Sequence, residues 1–248
     1  MKFTCLLKAG LFVIILGFIS ALNVFAKKAS PAEGIDYDKW FQHGLKIAQD
    51  KSIDNPTYAP QSSGRSAGIE VLMKLGIDMK TTGTNTDALV DVLKNFLLTD
   101  DFANVRADAA YALGRIGNPR ALDALKQALN NDKSLYVKFE SAQSALQFDK
   151  SSAQIAKVLT RIAIGDEFKS WSKLDLVNAG VVEYRLDPGN NKDGRTTEDR
   201  CKYGWRRMAI ASLEMVTPKS EYVKTVLRGL QNDSDRTISE AASKALAK

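Results

Sequence analysis

The chain has 248 residues, 44% of them hydrophobic and 26% charged, with a formal net charge of +6. That length suits one elongated domain or two small ones, and that balance excludes wholesale disorder. Without Lys2 and Lys8 of an N-terminal leader the chain keeps 33 basic and 29 acidic residues, a surplus too small to demand nucleic acid as a partner.

Residues 1–26 read as a signal peptide and not as part of the fold. Lys2 and Lys8 make a basic start, and LFVIILGFISALNVFA is an apolar run interrupted only by Gly17, Ser20 and Asn23. Val24 and Ala26 put small residues at the two positions a signal peptidase reads. The expected destination is periplasmic or extracellular. The alternative is an uncleaved segment that anchors the chain, since about 18 mostly apolar residues just span a bilayer; only then is a membrane a partner. Cys5 precedes the apolar run instead of ending it, which argues against a lipoprotein. Removing the leader leaves Cys201 as a single thiol with no internal disulfide partner. Arg200 and Lys202 flank it and would lower its pKa if they lie close in space.

Residues 27–63 are a polar linker and an N-terminal capping helix. YDKWFQHGLKIAQ sets Tyr37, Trp40, Phe41, Leu45 and Ala48 on one helical face, with Asp36 available as N-cap. This aromatic helix is expected to close the open end of a stack. DNPTYAPQSSG follows as a loop, with Pro56 and Pro60 both blocking helix.

Repeats occupy residues 64–165 and 204–248. RSAGIEVLMKLG (65–76) aligns without a gap on RADAAYALGRIG (106–117), pairing Arg65 with Arg106, Leu72 with Leu113 and Gly76 with Gly117. Each is followed by a leucine-striped helix: after IDMKTTGTNTD, which reads as a longer polar loop beyond Gly76, ALVDVLKNFLL from Ala88, with Leu93 and Leu97, and a helix opened by Asn118-Pro119 with Leu125 and Leu129. A third pair begins near Val137 and continues with QIAKVLTRIA from Gln154. At an offset of one hundred, WRRMAIASL (205–213) overlays Val105–Leu113, and ISEAASKAL (238–246) overlays KFESAQSAL (138–146). Thr217-Pro218 is expected to repeat the cap-plus-proline device. Helices this short cannot bury their apolar stripes alone, so the pairs must stack. The chain reads as at least four helical pairs and a final half repeat.

VRADAAYALGRIG, followed by a leucine-striped helix and a terminal Asp, resembles the short HEAT-like repeat of the phycobilisome-lyase type. The resemblance implies an all-α, right-handed α-solenoid of stacked antiparallel helix pairs. In that pattern the arginine matched by Arg65, Arg106 and Arg206 ties repeats to an acidic turn residue, for which Asp101 and Asp132 are available. The second helices of such pairs line an inner, concave face. Here they carry Lys94 and Lys126 at equivalent positions, with Arg161 and Arg228 one step further along, a ladder of cations suited to an acidic partner.

Residues 166–203 do not fit the repeat and read as an irregular insert. Leu174–Val182 has helical pattern, and DPGNNKDGRTTED is a turn-rich loop. Insertions in repeat proteins emerge on one face and often bind. Trp171, Tyr184, Arg185 and Arg195 are its candidate contact residues, because aromatics and arginine dominate binding hot spots.

Other chemistry fits poorly. An EF-hand register set by Gly194 puts Gly189 and Arg200 where carboxylates are required. Asp187, Asp193 and Asp199 offer no more than adventitious cation binding. His43 is the sole histidine, which removes a histidine-rich metal site and any scheme needing two imidazoles. No Gly-x-Ser-x-Gly context, phosphate loop or strand-forming run is present, and no cofactor is expected. The aromatic interleaving that single-strand binders use is missing from the second helices, so nucleic acid is not expected as a partner. The expectation is an exported, non-enzymatic scaffold or adaptor that binds another protein through its concave face or its 166–203 insert. Two alternatives are a lyase-like enzyme or enzyme accessory using Cys201 and the insert, and a structural part of an envelope assembly.

Overall fold

The leader, the linker and most of the insert fall outside the residues described by the structure, a computed structural model that covers residues 35–53, 63–168 and 197–248. These residues form α1 (Tyr37–Gln49), α2 (Ser63–Thr81), α3 (Asp87–Thr99), α4 (Ala103–Ile116) and α5 (Leu122–Asn131). They continue as α6 (Leu135–Ala145), α7 (Ala153–Ile164), α8 (Thr197–Leu213), α9 (Glu221–Leu230) and α10 (Arg236–Ala247). No strand occurs among the described residues. Asp38–Lys248 form one compact unit.

The helices follow one another as the repeat pairs α2–α3, α4–α5, α6–α7 and α8–α9, with α10 as a half repeat. First helices stack on first helices, α2 on α4 on α6, and second helices on second helices, α3 on α5 on α7 on α9. Each second helix also packs against the first helix of the next pair, so the core is continuous along the stack. The fold is an α-solenoid, as the repeats require.

Small residues set the spacing of the first-helix layer. Ala107, Ala109, Ala110 and Ala112 of α4 are fully buried, which lets α4 sit between α2 and α6. A Cβ placed on Gly114 would lie 2.6 Å from Ser144 Oγ, so the α4–α6 seam admits only glycine there. One on Gly68 would meet Gly44 O of α1 at 2.7 Å. The second helices fill the gaps with larger groups: Leu93 and Leu97, Leu125 and Leu129, Ile155 and Leu159, Val223 and Leu227. Each such buried side chain contributes about 1.5–3 kcal/mol.

Three local expectations change. α2 does not stop at Gly76 but runs on to Thr81. Gly76 packs mid-helix, where a Cβ would lie 2.7 Å from Ile116 Cδ1, and the chain turns at Gly83 with φ 76°. The buried face of α1 is Gly44 and Ala48, while Trp40 is 50% exposed and stands edge-on to His43 at 5.7 Å. Crossing α2 at Gly68 demands small residues, so the bulky aromatic is turned outward. In the fourth pair Ser220, not Thr217-Pro218, caps the second helix by accepting from Val223 N at 3.3 Å. Thr217 N donates instead to Lys150 O of the preceding repeat at 2.9 Å.

Asn118 accepts from Arg120 N at 3.0 Å and opens a short 3-10 turn, Pro119–Ala121, before α5. Its amide also donates to Thr86 Oγ1 at 2.9 Å and Asp87 Oδ1 at 3.0 Å, tying the loops of two repeats. α8 reaches back to Thr197, so residues 197–203 of the segment read as insert are helical. The end of the stack is closed by charge: Arg236 pairs with Glu240 at 2.7 Å, and Lys244 and Lys248 reach Glu214 at 3.3 and 2.6 Å. No described helix is long and apolar enough to cross a membrane.

Candidate protein-interaction surface

The repeat arginines are structural. Arg106 is buried and forks onto Asp132, Nε to Oδ2 at 2.7 Å and Nη2 to Oδ1 at 2.9 Å. Its Nη1 donates to the carbonyls of Asp100 and Asp101 at 2.8 and 3.2 Å. One guanidinium thus binds the acid that ends its own repeat and the open helix end of the repeat before. Arg65 does the same with Asp100 and Ala48 O, and Arg206 with Asp233 and Ala163 O. Arg65 therefore takes Asp100 and not Asp101, whose carboxylate pairs with Lys51 at 2.6 Å. Asp100 is the residue whose carboxylate also accepts from the N–H two residues on, Phe102 N at 3.0 Å, which turns the chain into the next helix. Asp132 and Asp233 make the same turn with Ser134 N and Asp235 N at 2.8 and 2.9 Å. Burial opposes ionisation of Asp233, yet the hydrogen bonds from Arg206 and Asp235 N hold it below the usual carboxylate range.

The third repeat departs from this pattern. Lys138 occupies the arginine position and makes a single contact, to Glu167 at 3.2 Å, which Arg161 shares at 2.9 Å. On the same helix Glu140 is mostly buried, and desolvation together with the charge of Asp108 pushes its carboxyl up to about 7.

The solvent side of α3, α5, α7 and α9 carries two grooves and the cations of the expected ladder. The two grooves lie next to one another along it. One, of about 520 Å³, is walled by Leu45 and Gln49 of α1 and by Val92, Asn95 and Thr99 of α3, with Arg65 at its base. The next, of about 550 Å³, runs between Leu98 of α3 and Gln127 and Asn131 of α5, with Arg106 at its base. Thr99 and Asp100 border both.

All four cations of the expected ladder stand on these second helices, and each is ion-paired. Lys94 reaches Asp91 at 3.2 Å, Lys126 reaches Asp149 at 3.1 Å, and Arg228 reaches Glu221 at 3.6 Å. Arg161 holds Glu167 as above. Asp91 also receives Arg120 at 3.0 Å, and the same arginine reaches Asp87 at 2.8 Å. Hydrogen bonds from Asn118 and Arg120 hold the Asp87 carboxyl below the usual range, and one from Lys126 does so for Asp149. Sequence spacing found the cations and not their counter-ions, because Asp149 and Glu167 come from turns whose positions depend on the packed stack. Trp171, Tyr184, Arg185 and Arg195 lie outside the described residues, as does the side chain of Cys201.

Residues 65–163 match the family model for HEAT repeats. The fold is a HEAT-like α-solenoid. The HEAT match ends one residue short of the close of α7, and the pairs α8–α9 and the half repeat α10 extend the same packing beyond it. No curated protein matches the chain. Among the described residues no group of His, Cys, Asp and Glu is arranged to hold a metal.

Proposed function

We propose that this chain is an exported, non-enzymatic scaffold or adaptor that holds another protein along its second-helix layer. The observation that carries this reading is the pair of adjoining grooves bordered by Thr99 and Asp100. Two open clefts side by side across α1, α3 and α5 suit an extended protein segment better than a compact small substrate. HEAT repeats commonly mediate contacts between proteins, and the family match adds to this support. Export rests on the basic start, the apolar run and the small residues Val24 and Ala26 of the leader.

The test is crosslinked capture from the native envelope fraction with three forms of the chain. One is wild type, one carries Asn95→Trp and Gln127→Trp to fill both grooves, and one replaces residues 169–196 with a Gly/Ser turn. A protein captured by wild type and lost by the groove-filled form is the expected result. Loss only when residues 169–196 are replaced moves the site to Trp171, Tyr184, Arg185 and Arg195. No capture by any form contradicts the scaffold reading.

A further inference from the structure

We infer that the α7–α9 end of the second-helix layer docks an acidic protein segment bearing apolar side chains; this deepens the scaffold reading and rests on it. The stoichiometry of the ion pairs differs between the two ends of the layer. At the other end of the layer, Asp87 and Asp91 face Arg120 and Lys94, and Lys126 faces Asp149, so charges cancel. Asp123 is exposed with no cation in ion-pair reach among the described residues, and exposed Lys133 beside the second groove offsets it, so that end carries no positive surplus.

At α7–α9 the acids are outnumbered. The single charge of Glu167 serves both Lys138 and Arg161, and that of Glu221 serves both Lys224 and Arg228. Lys157 is exposed on α7 with no carboxylate in ion-pair reach among the described residues. Counting Asp166 beside Glu167 against them, the described residues at this end keep a positive surplus. The two arginines stand on neighbouring helices with side chains 49% and 55% exposed. Each guanidinium therefore has donors left for an incoming carboxylate, in the bidentate geometry arginine favours.

Apolar surface accompanies that charge. Ile164 is 40% and Tyr222 is 50% exposed, on α7 and α9 respectively, and Tyr222 OH lies 3.5 Å from Thr160 Oγ1 of α7. Tyr222 thus spans the seam between the two helices and offers a rigid, amphipathic ring of the kind that anchors interfaces. Cations together with an exposed aromatic and an aliphatic group fit a segment that alternates acidic and apolar residues.

Fluorescence anisotropy with the full chain tests this. The probes are a fluorescein-labelled peptide alternating glutamate and leucine, its glutamine counterpart, and an oligo-dT strand. The glutamate peptide should bind, and weaken as salt is raised through about 0.15 M. Arg161→Glu with Arg228→Glu should weaken it by about tenfold, equivalent to ~1.4 kcal/mol. Asp123→Lys, at the other end, should leave it unchanged. Because both arginines are half-exposed, Arg161→Gln with Arg228→Gln gives a milder form that folds, and it should show a smaller loss in the same direction. Equal binding of the glutamine peptide, indifference to the arginine changes, or oligo-dT binding as tightly as the peptide would each overturn the inference. Failure of wild type to capture any native protein falls on the scaffold reading, and the peptide assay, which needs no native partner, still decides this one.

Discussion

The second and third repeats solve one problem with different side chains. In the second, Arg106 makes four hydrogen bonds that close the α4–α5 pair and cap the repeat before it. In the third, Lys138 makes one contact to a glutamate already shared with Arg161. A planar fork with fixed donors can serve two helix ends at once, whereas an ammonium is a point charge. The strong clasp sits mid-stack, and the weak one sits where the chain departs at Phe168 from the repeat pattern.

That contrast is open to direct perturbation. The largest effect is expected from Arg106→Ala, which strands a buried Asp132 and should cost about 3–5 kcal/mol in urea unfolding. A loss under 1 kcal/mol would mean the clasp is ornamental. Next comes Glu140, whose raised carboxyl pKa favours the protonated form in the fold. Its stabilising effect is present at low pH and is lost as pH climbs from the ordinary glutamate range through about 7. Glu140→Gln should therefore raise stability on the order of 2–3 kcal/mol at pH 8 and leave it almost unchanged near pH 4. A pH-independent gain would contradict the assignment.

Smaller effects should separate the seams. Gly114→Ala forces a methyl into Ser144 and should cost roughly 1–3 kcal/mol. Gly204→Ala, in α8 with nothing within 4 Å of the added Cβ, should gain up to about 1 kcal/mol from helix propensity. Thermal melts of the two give shifts of opposite sign. The smallest change belongs to Lys138→Ala, about 0.5–1 kcal/mol, as befits a single shared ion pair. A loss as large as that of Arg106→Ala would erase the distinction between the two repeats.

The helical pairs and their order were legible because each rests on spacing within one short segment, while the arginine clasps were implied by the HEAT-like resemblance, which offered Asp101 where Arg65 takes Asp100. Leu125 and Leu129 mark a buried stripe, and Arg106 falls at a fixed place before Asp132. Features that depend on neighbours were less legible. Trp40 reads as a core aromatic until α1 is seen to cross α2 at Gly44 and Gly68. Gly76 matches Gly117 in sequence, yet one admits a close helix contact and the other, with φ 66°, ends a helix. The cation ladder on the second helices was read from matching positions in successive repeats. Of its counter-ions, Asp149 and Glu167 come from turns between helices, and Glu221 from the first turn of the helix that carries Arg228.

The proposed binding face is the second-helix layer. Hydrogen–deuterium exchange on the chain, alone and with its captured protein, tests this most directly. Slowed exchange on α3, α5, α7 and α9, with the solvent sides of α2 and α4 unchanged, is the predicted result. Protection confined to residues 169–196 or to the first-helix layer would contradict it.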